Sequence, residues 1–71
     1  MIFNPIAGNV WKVLVGIGDE VTEGQPVVII ESMKMEITIP STSRGTVTAL
    51  LCRPDTPVKP GQPLVAVHPS A

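Results

Sequence analysis

Seventy-one residues, 44% of them apolar, make one small domain with a marginal core and no room for a second. Five basic and six acidic residues leave a formal charge of −1. The basic side chains Lys12, Lys34, Arg44, Arg53 and Lys59 are scattered, so no nucleic-acid footprint forms, and no apolar run reaches membrane-spanning length. The single cysteine, Cys52, excludes an internal disulfide and, with His68 as the only histidine, a Cys-based zinc site.

The opening segment, Met1-Ile2-Phe3-Asn4-Pro5, has neither the basic start nor the long apolar run of a secretion signal. Together with one unpaired cysteine this leads us to expect a cytoplasmic setting. The first predicted strand covers residues 12–15 and ends in the turn Gly16-Ile17-Gly18-Asp19. Gly24 is expected to supply a positive φ, and Pro26, which lacks a backbone donor, should stand at the start of the strand over residues 27–30. A tight turn at residues 32–35 then leads into a strand over 36–39. Two more strands, over 46–51 and 64–67, flank the turn Arg53-Pro54-Asp55-Thr56-Pro57. The runs are short, rich in Val, Ile and Thr, and cut by Gly and Pro, which is an all-β pattern. Residues 27–39 lack the i, i+3, i+4 stripe of a helix.

The chain is also a repeat. Shifted by 37 positions it aligns with itself without a gap, residues 7–30 on 44–67. Gly8 falls on Gly45, Val10 on Val47, Gly24 on Gly61, and Gln25-Pro26 on Gln62-Pro63. Self-similarity at a fixed offset marks a structural unit used twice, and two units suit a pseudo-two-fold domain better than a solenoid. Positions apolar in both halves form the expected core: Val10/Val47, Val13/Leu50, Leu14/Leu51, Val15/Cys52, Val21/Val58, Val27/Leu64, Val28/Val65, Ile29/Ala66 and Ile30/Val67. Trp11 falls on Thr48 and Lys12 on Ala49, so neither needs burial. With no aromatic cluster around it, Trp11 is expected to cover one face of the domain rather than to stack on a ligand.

The turn joining the halves holds the unusual chemistry. Turns favour Gly, Asn, Asp, Pro or Ser, but here Met33-Lys34-Met35 places a primary amine between two large adaptable side chains. The repeat partner of Lys34 is Ala71, so the amine should project at one end of the domain with the chain termini at the other. A lysine in such a place also serves as a charged gatekeeper on a hairpin, which needs no partner at all.

In Glu31-Ser32-Met33-Lys34-Met35-Glu36, in Pro5 to Gly8, in Gly18-Asp19 and in Gly24-Gln25, the chain resembles the biotinyl (biotin carboxyl carrier) domain family. It is similar to small free-standing biotin/lipoyl attachment proteins and to the carrier modules of urea and acetyl-CoA carboxylases. The resemblance runs from Asn4 to Val67. It implies a flattened β-barrel or sandwich of two four-stranded antiparallel sheets with pseudo-two-fold symmetry, the "hammerhead" type. The gapless repeat leaves no place for the thumb insertion of some relatives. The resemblance further implies biotin amide-linked to Lys34, with Met33, Met35, Ser32, Glu31 and Glu36 as the surrounding recognition residues. The implied partners are a biotin protein ligase, a biotin carboxylase and a carboxyltransferase, and the domain itself is expected to be monomeric. Two departures stand out. Ser32 replaces the more usual alanine, and Pro54-Asp55-Thr56 replaces a Gly-Asp turn, which Asp55 can support in left-handed geometry.

A free lysine amine is almost wholly protonated at neutral pH, so attachment needs an activated acyl donor and an enzyme that orients the amine. The chain shows no catalytic triad, no carboxylate pair in a cleft and no phosphate loop, so a non-catalytic carrier is expected. Two other readings remain: a carrier of lipoate on the same lysine, or an unmodified β-hairpin interaction module. The carboxyl acceptor, whether acetyl-CoA, propionyl-CoA, pyruvate or urea, is open.

Overall fold

The computed structural model describes residues 1–69. Eight strands follow one another: β1 (Ile2–Phe3), β2 (Gly8–Val13), β3 (Glu20–Val21), β4 (Pro26–Ser32), β5 (Met35–Pro40), β6 (Gly45–Leu50), β7 (Pro57–Val58) and β8 (Pro63–Pro69). They form two four-stranded antiparallel sheets, in the orders β1-β8-β6-β3 and β5-β4-β2-β7. The five predicted strands are all present with changed bounds: those over 27–30, 36–39 and 64–67 are longer by two or three residues, that over 46–51 is displaced by one, and that over 12–15 starts four residues earlier and ends at Val13. The two-residue strands β1, β3 and β7 are additional, because a run that short carries no periodicity.

The two sheets exchange places under the 37-residue shift. The Leu14 N–H donates to the Val27 carbonyl at 2.8 Å, and the Leu51 N–H to the Leu64 carbonyl at 2.9 Å. Gly24 and Gly61 hold matching φ values of 85° and 82°, and Pro26 and Pro63 open β4 and β8. The repeat also reaches further upstream than its sequence shows. Ile2 pairs with Val65 as Ile39 pairs with Val28, so β1 is the counterpart of the end of β5. Ala71, the repeat partner of Lys34, lies outside the described residues.

Most of the expected core is buried: Val10, Val21, Val27, Val28, Ile30, Val47, Cys52, Val58, Leu64 and Val65, joined by Ile2 and Ile39. Val13, Val15, Leu50 and Val67 pack against it, partly buried. Ile29 and Ala66 are half-buried and stand outside this cluster, and Leu14 and Leu51 depart further. The two leucines are 46% and 44% exposed, and their assignment to the core is corrected here. The cause is a β-bulge in each half, between Val10 and Lys12 and between Val47 and Ala49. One extra residue reverses the in–out alternation beyond it, so Val13 and Val15 turn inward and Leu14 turns out.

The fold measures 37 × 19 × 18 Å. β4 and β5 rise to the Met33-Lys34 turn at one end. β8 closes at the opposite end, where Pro69 pairs with Gly45. Strand polarity thus separates the lysine from the end of β8 along the long axis.

Candidate functional site

β4 and β5 pair in continuous register from Val28↔Ile39 up to Ser32↔Met35, leaving Met33 and Lys34 as a two-residue loop. Both have positive φ, 51° and 66°, the signature of a type I′ turn. That turn matches the twist of the strands it joins but favours Asn and Gly, so Met and Lys adopt it under strain. The supports lie below. The Ser32 hydroxyl donates to the Ala7 carbonyl at 2.8 Å and ties the top of β4 to the start of β2. At Gly8 the two backbones cross so closely that a Cβ would sit 2.5 Å from the Glu31 carbonyl oxygen. Ile30 and Ile39, buried in the core, anchor the two strands further down.

The hairpin holds its functional groups outward. Met33 is 92% exposed and Met35 65%, and Lys34, Glu31 and Glu36 are exposed too. Glu31 and Glu36 stand directly opposite one another across the strands. Ser32, grouped above with the recognition residues, is buried with its hydroxyl engaged and holds the hairpin. Beside Glu31 across the β2–β4 pairing lies Asn9, and an open groove between them is lined by Asn9, Val10, Trp11, Glu31 and Asp55. The Lys12 ammonium lies over the Trp11 ring, 4.6 Å from its centroid. The Ala7 contact and this groove were not read from the sequence. The pairing of Gly8 with Gly45 in the repeat was the one signal of the backbone crossing.

Chemically the site is an accessible amine on a stiff tip. It fits a group attached through an amide, since the nitrogen is free to be approached and the strands beneath it are fixed. Among the described residues, no three His, Cys, Asp or Glu side chains are placed to hold a metal ion, and no helix is long and apolar enough to cross a membrane. Cys52 is buried, and desolvation raises its thiol pKa above the ordinary value.

Residues 2–67 match the protein family described as "Biotin-requiring enzyme". The biotin carboxyl carrier protein of Streptococcus mutans is 41% identical over 63 residues, covering 89% of this chain and 48% of that protein. The biotin carboxyl carrier protein of acetyl-CoA carboxylase from Solanum lycopersicum is 40% identical over 63 residues, covering 89% of this chain and 90% of that one. In the crystal structure of the Kluyveromyces lactis urea carboxylase, a region matches with a TM-score of 0.90 at 29% identity, covering 96% of this chain and 6% of that one. The chain thus spans about half of the Streptococcus relative and a small part of the urea carboxylase.

Proposed function

This chain belongs to the biotin/lipoyl family of biotin-requiring enzymes, and we propose that it is a biotin carboxyl carrier whose biotin is amide-linked to Lys34. One observation carries the reading. In a fold of this family the amine stands on a strained two-residue turn between two methionines that are almost wholly outside the core. A turn optimised for stability alone would use Asn-Gly. Met33 and Met35 offer adaptable contact surface to enzymes that must find this one lysine. Glu31 and Glu36 face each other as like charges, which weakens a hairpin, so their presence beside the lysine favours recognition by a partner.

Bound at Lys34, biotin would supply a ureido nitrogen that takes up and gives back a carboxyl group. The chain's own residues do the positioning. Ser32, Ala7 and Gly8 keep the hairpin upright, and Lys34 supplies the tether. The amine loses a proton as it displaces the leaving group of an activated acyl donor held by a biotin protein ligase. A biotin carboxylase and a carboxyltransferase then perform the two half-reactions, and the carrier makes no bonds itself. Its contribution is local concentration at each site.

Intact mass after co-expression with a biotin ligase and, separately, a lipoate ligase tests this. A gain of one biotin, absent in Lys34→Ala, is the expected result. A gain of lipoate alone, or biotin retained by Lys34→Ala, overturns it.

A further inference from the structure

The groove beside the tip lies outside the attachment chemistry, and the internal repeat supplies its control. At the Lys34 end the lining is Asn9, Val10, Trp11, Glu31 and Asp55. The corresponding positions at the far end are Thr46, Val47, Thr48, His68 and Gly18. The backbone is the same at both. Asn9 pairs with Glu31 as Thr46 pairs with His68, and each half carries its bulge at the same place. The Asp55 N–H donates to the Val10 carbonyl at 2.7 Å, and the Gly18 N–H to the Val47 carbonyl at 2.8 Å. Only the valine is common to the two ends. The fold therefore does not require Asn, Trp, Glu or Asp at the others.

Asp55 makes the point most sharply. Its φ is 63° where its counterpart Gly18 has 92°. Glycine enters this region freely and aspartate only at a modest cost, so the carboxylate end of the groove is held in a conformation that the other half reaches without one. Strain held at one copy of a repeated turn directs attention to what that side chain does.

We propose that this groove is a seat for the ureido ring of the biotin tethered to Lys34, occupied while the carrier is away from its enzymes. The inference rests on the reading of Lys34 given above. The chemistry of the lining matches that ring. A ureido group has one carbonyl acceptor flanked by two N–H donors. The Asn9 amide provides donors for the carbonyl, and the Glu31 and Asp55 carboxylates provide acceptors for the N–H groups. The indole of Trp11, 38% exposed, offers apolar surface to the fused rings beside the Lys12 ammonium that covers one face of it. The tether is long enough. Eleven bonds separate the Lys34 Cα from the ring system, about 14 Å when extended. Adjacent-strand spacing and residue rise put the groove on the order of 10–12 Å from that Cα. A short tether gives an effective concentration in the millimolar range, so a seat of low intrinsic affinity is still filled. A partner enzyme withdraws the ring by offering more contacts than this open groove does.

Trp11 is the only tryptophan, so the protein reports on its own groove. The test compares the full chain with and without biotin, each form verified by intact mass, through tryptophan emission and acrylamide quenching. For a seat filled most of the time by a tethered ring, the quenching constant should fall by about half on biotinylation, with a shift of the emission maximum. The side-chain amide resonances of Asn9 should move in the same comparison. Biotinylated Asn9→Ala and Asp55→Gly should return to the quenching of the unmodified protein. Asp55→Gly installs the residue that the repeat already uses at Gly18, so the fold is retained. If the mass shows one biotin per chain and quenching and the Asn9 resonances are unchanged, the seat is disproved while the attachment reading stands. If no biotin is gained, the attachment reading fails and the seat with it.

Discussion

Asn4 and Ser41, 37 residues apart, occupy equivalent buried positions and make the same backbone bonds. The Asn4 N–H donates to the Gln62 carbonyl and its own carbonyl accepts from Gly61, at 2.8 and 2.7 Å. The Ser41 N–H donates to the Gln25 carbonyl and its carbonyl accepts from Gly24, at 2.8 and 2.9 Å. Each side chain bonds two residues onward, Asn4 to Ile6 and Ser41 to Ser43. The halves thus lock into one another through a pair of polar plugs, and the pseudo-two-fold includes them.

Asn4 has the heavier duty, because its amide also donates to the Lys59 carbonyl at 2.9 Å. Asn4→Ala should lower stability by about 1–3 kcal/mol, the cost of leaving buried carbonyls without a donor. Ser41→Ala, which removes one such bond, should cost less. Urea titration of the two variants checks the order; equal or reversed losses would contradict it.

Met33→Ala and Met35→Ala should leave the melting temperature nearly unchanged, since neither side chain contributes to the core. Met33→Asn should raise it slightly, because Asn tolerates the 51° φ of that position. All three should slow biotinylation or carboxyl transfer, with transfer the more sensitive. A large loss of stability with normal rates on the folded fraction would make these methionines packing residues.

The two classes of glycine should respond differently. Alanine at Gly8 or Gly45 would put a Cβ 2.5 Å from the Glu31 carbonyl oxygen or 2.1 Å from that of His68. Backbone must move, and a loss of about 1–3 kcal/mol or more is expected. Gly24 and Gly61 have open space around them, so alanine there meets only the backbone penalty of about 1–2 kcal/mol. Gly8→Ala should in addition slow biotinylation, because the crossing it disturbs lies directly under the tip. Denaturation curves and ligation rates together test both parts.

Cys52 should be slow to react with a thiol reagent in the native protein and fast in denaturant. Burial raises its folded pKa above the ordinary 9.0. The unfolded chain therefore ionises first, and the contribution of this thiol to stability falls as pH climbs past that value. Cys52→Ala should flatten the stability profile above pH 9.0 relative to the parent. An identical alkaline decline in both would assign it to other groups.

Legibility followed the range of the interactions. The strand-and-turn punctuation, Gly24 and Gly61 at positive φ, the prolines at strand starts and the left-handed Asp55 are all settled within a few residues of chain, so local chemistry announces them. The paired halves were visible because a duplicated backbone demands the same small and apolar residues twice. Lys34 stood out for a related reason: Met33 and Lys34 are poor choices for the turn they occupy, and a residue that opposes its local structure draws attention.

The sequence alone therefore determined an all-β, two-fold domain with a lysine at its connecting turn. Tertiary structure decided which apolar residues face inward, because a single bulge residue in β2 and in β6 reverses the alternation and turns Leu14 and Leu51 to water. It decided that Ser32 points into the molecule, through a bond to Ala7 in the segment leading into β2. It also brought Asn9, Trp11, Glu31 and Asp55 around one groove, from three separate stretches of the chain. Each of these depends on contacts between residues distant in sequence, where neither period nor propensity leaves a trace.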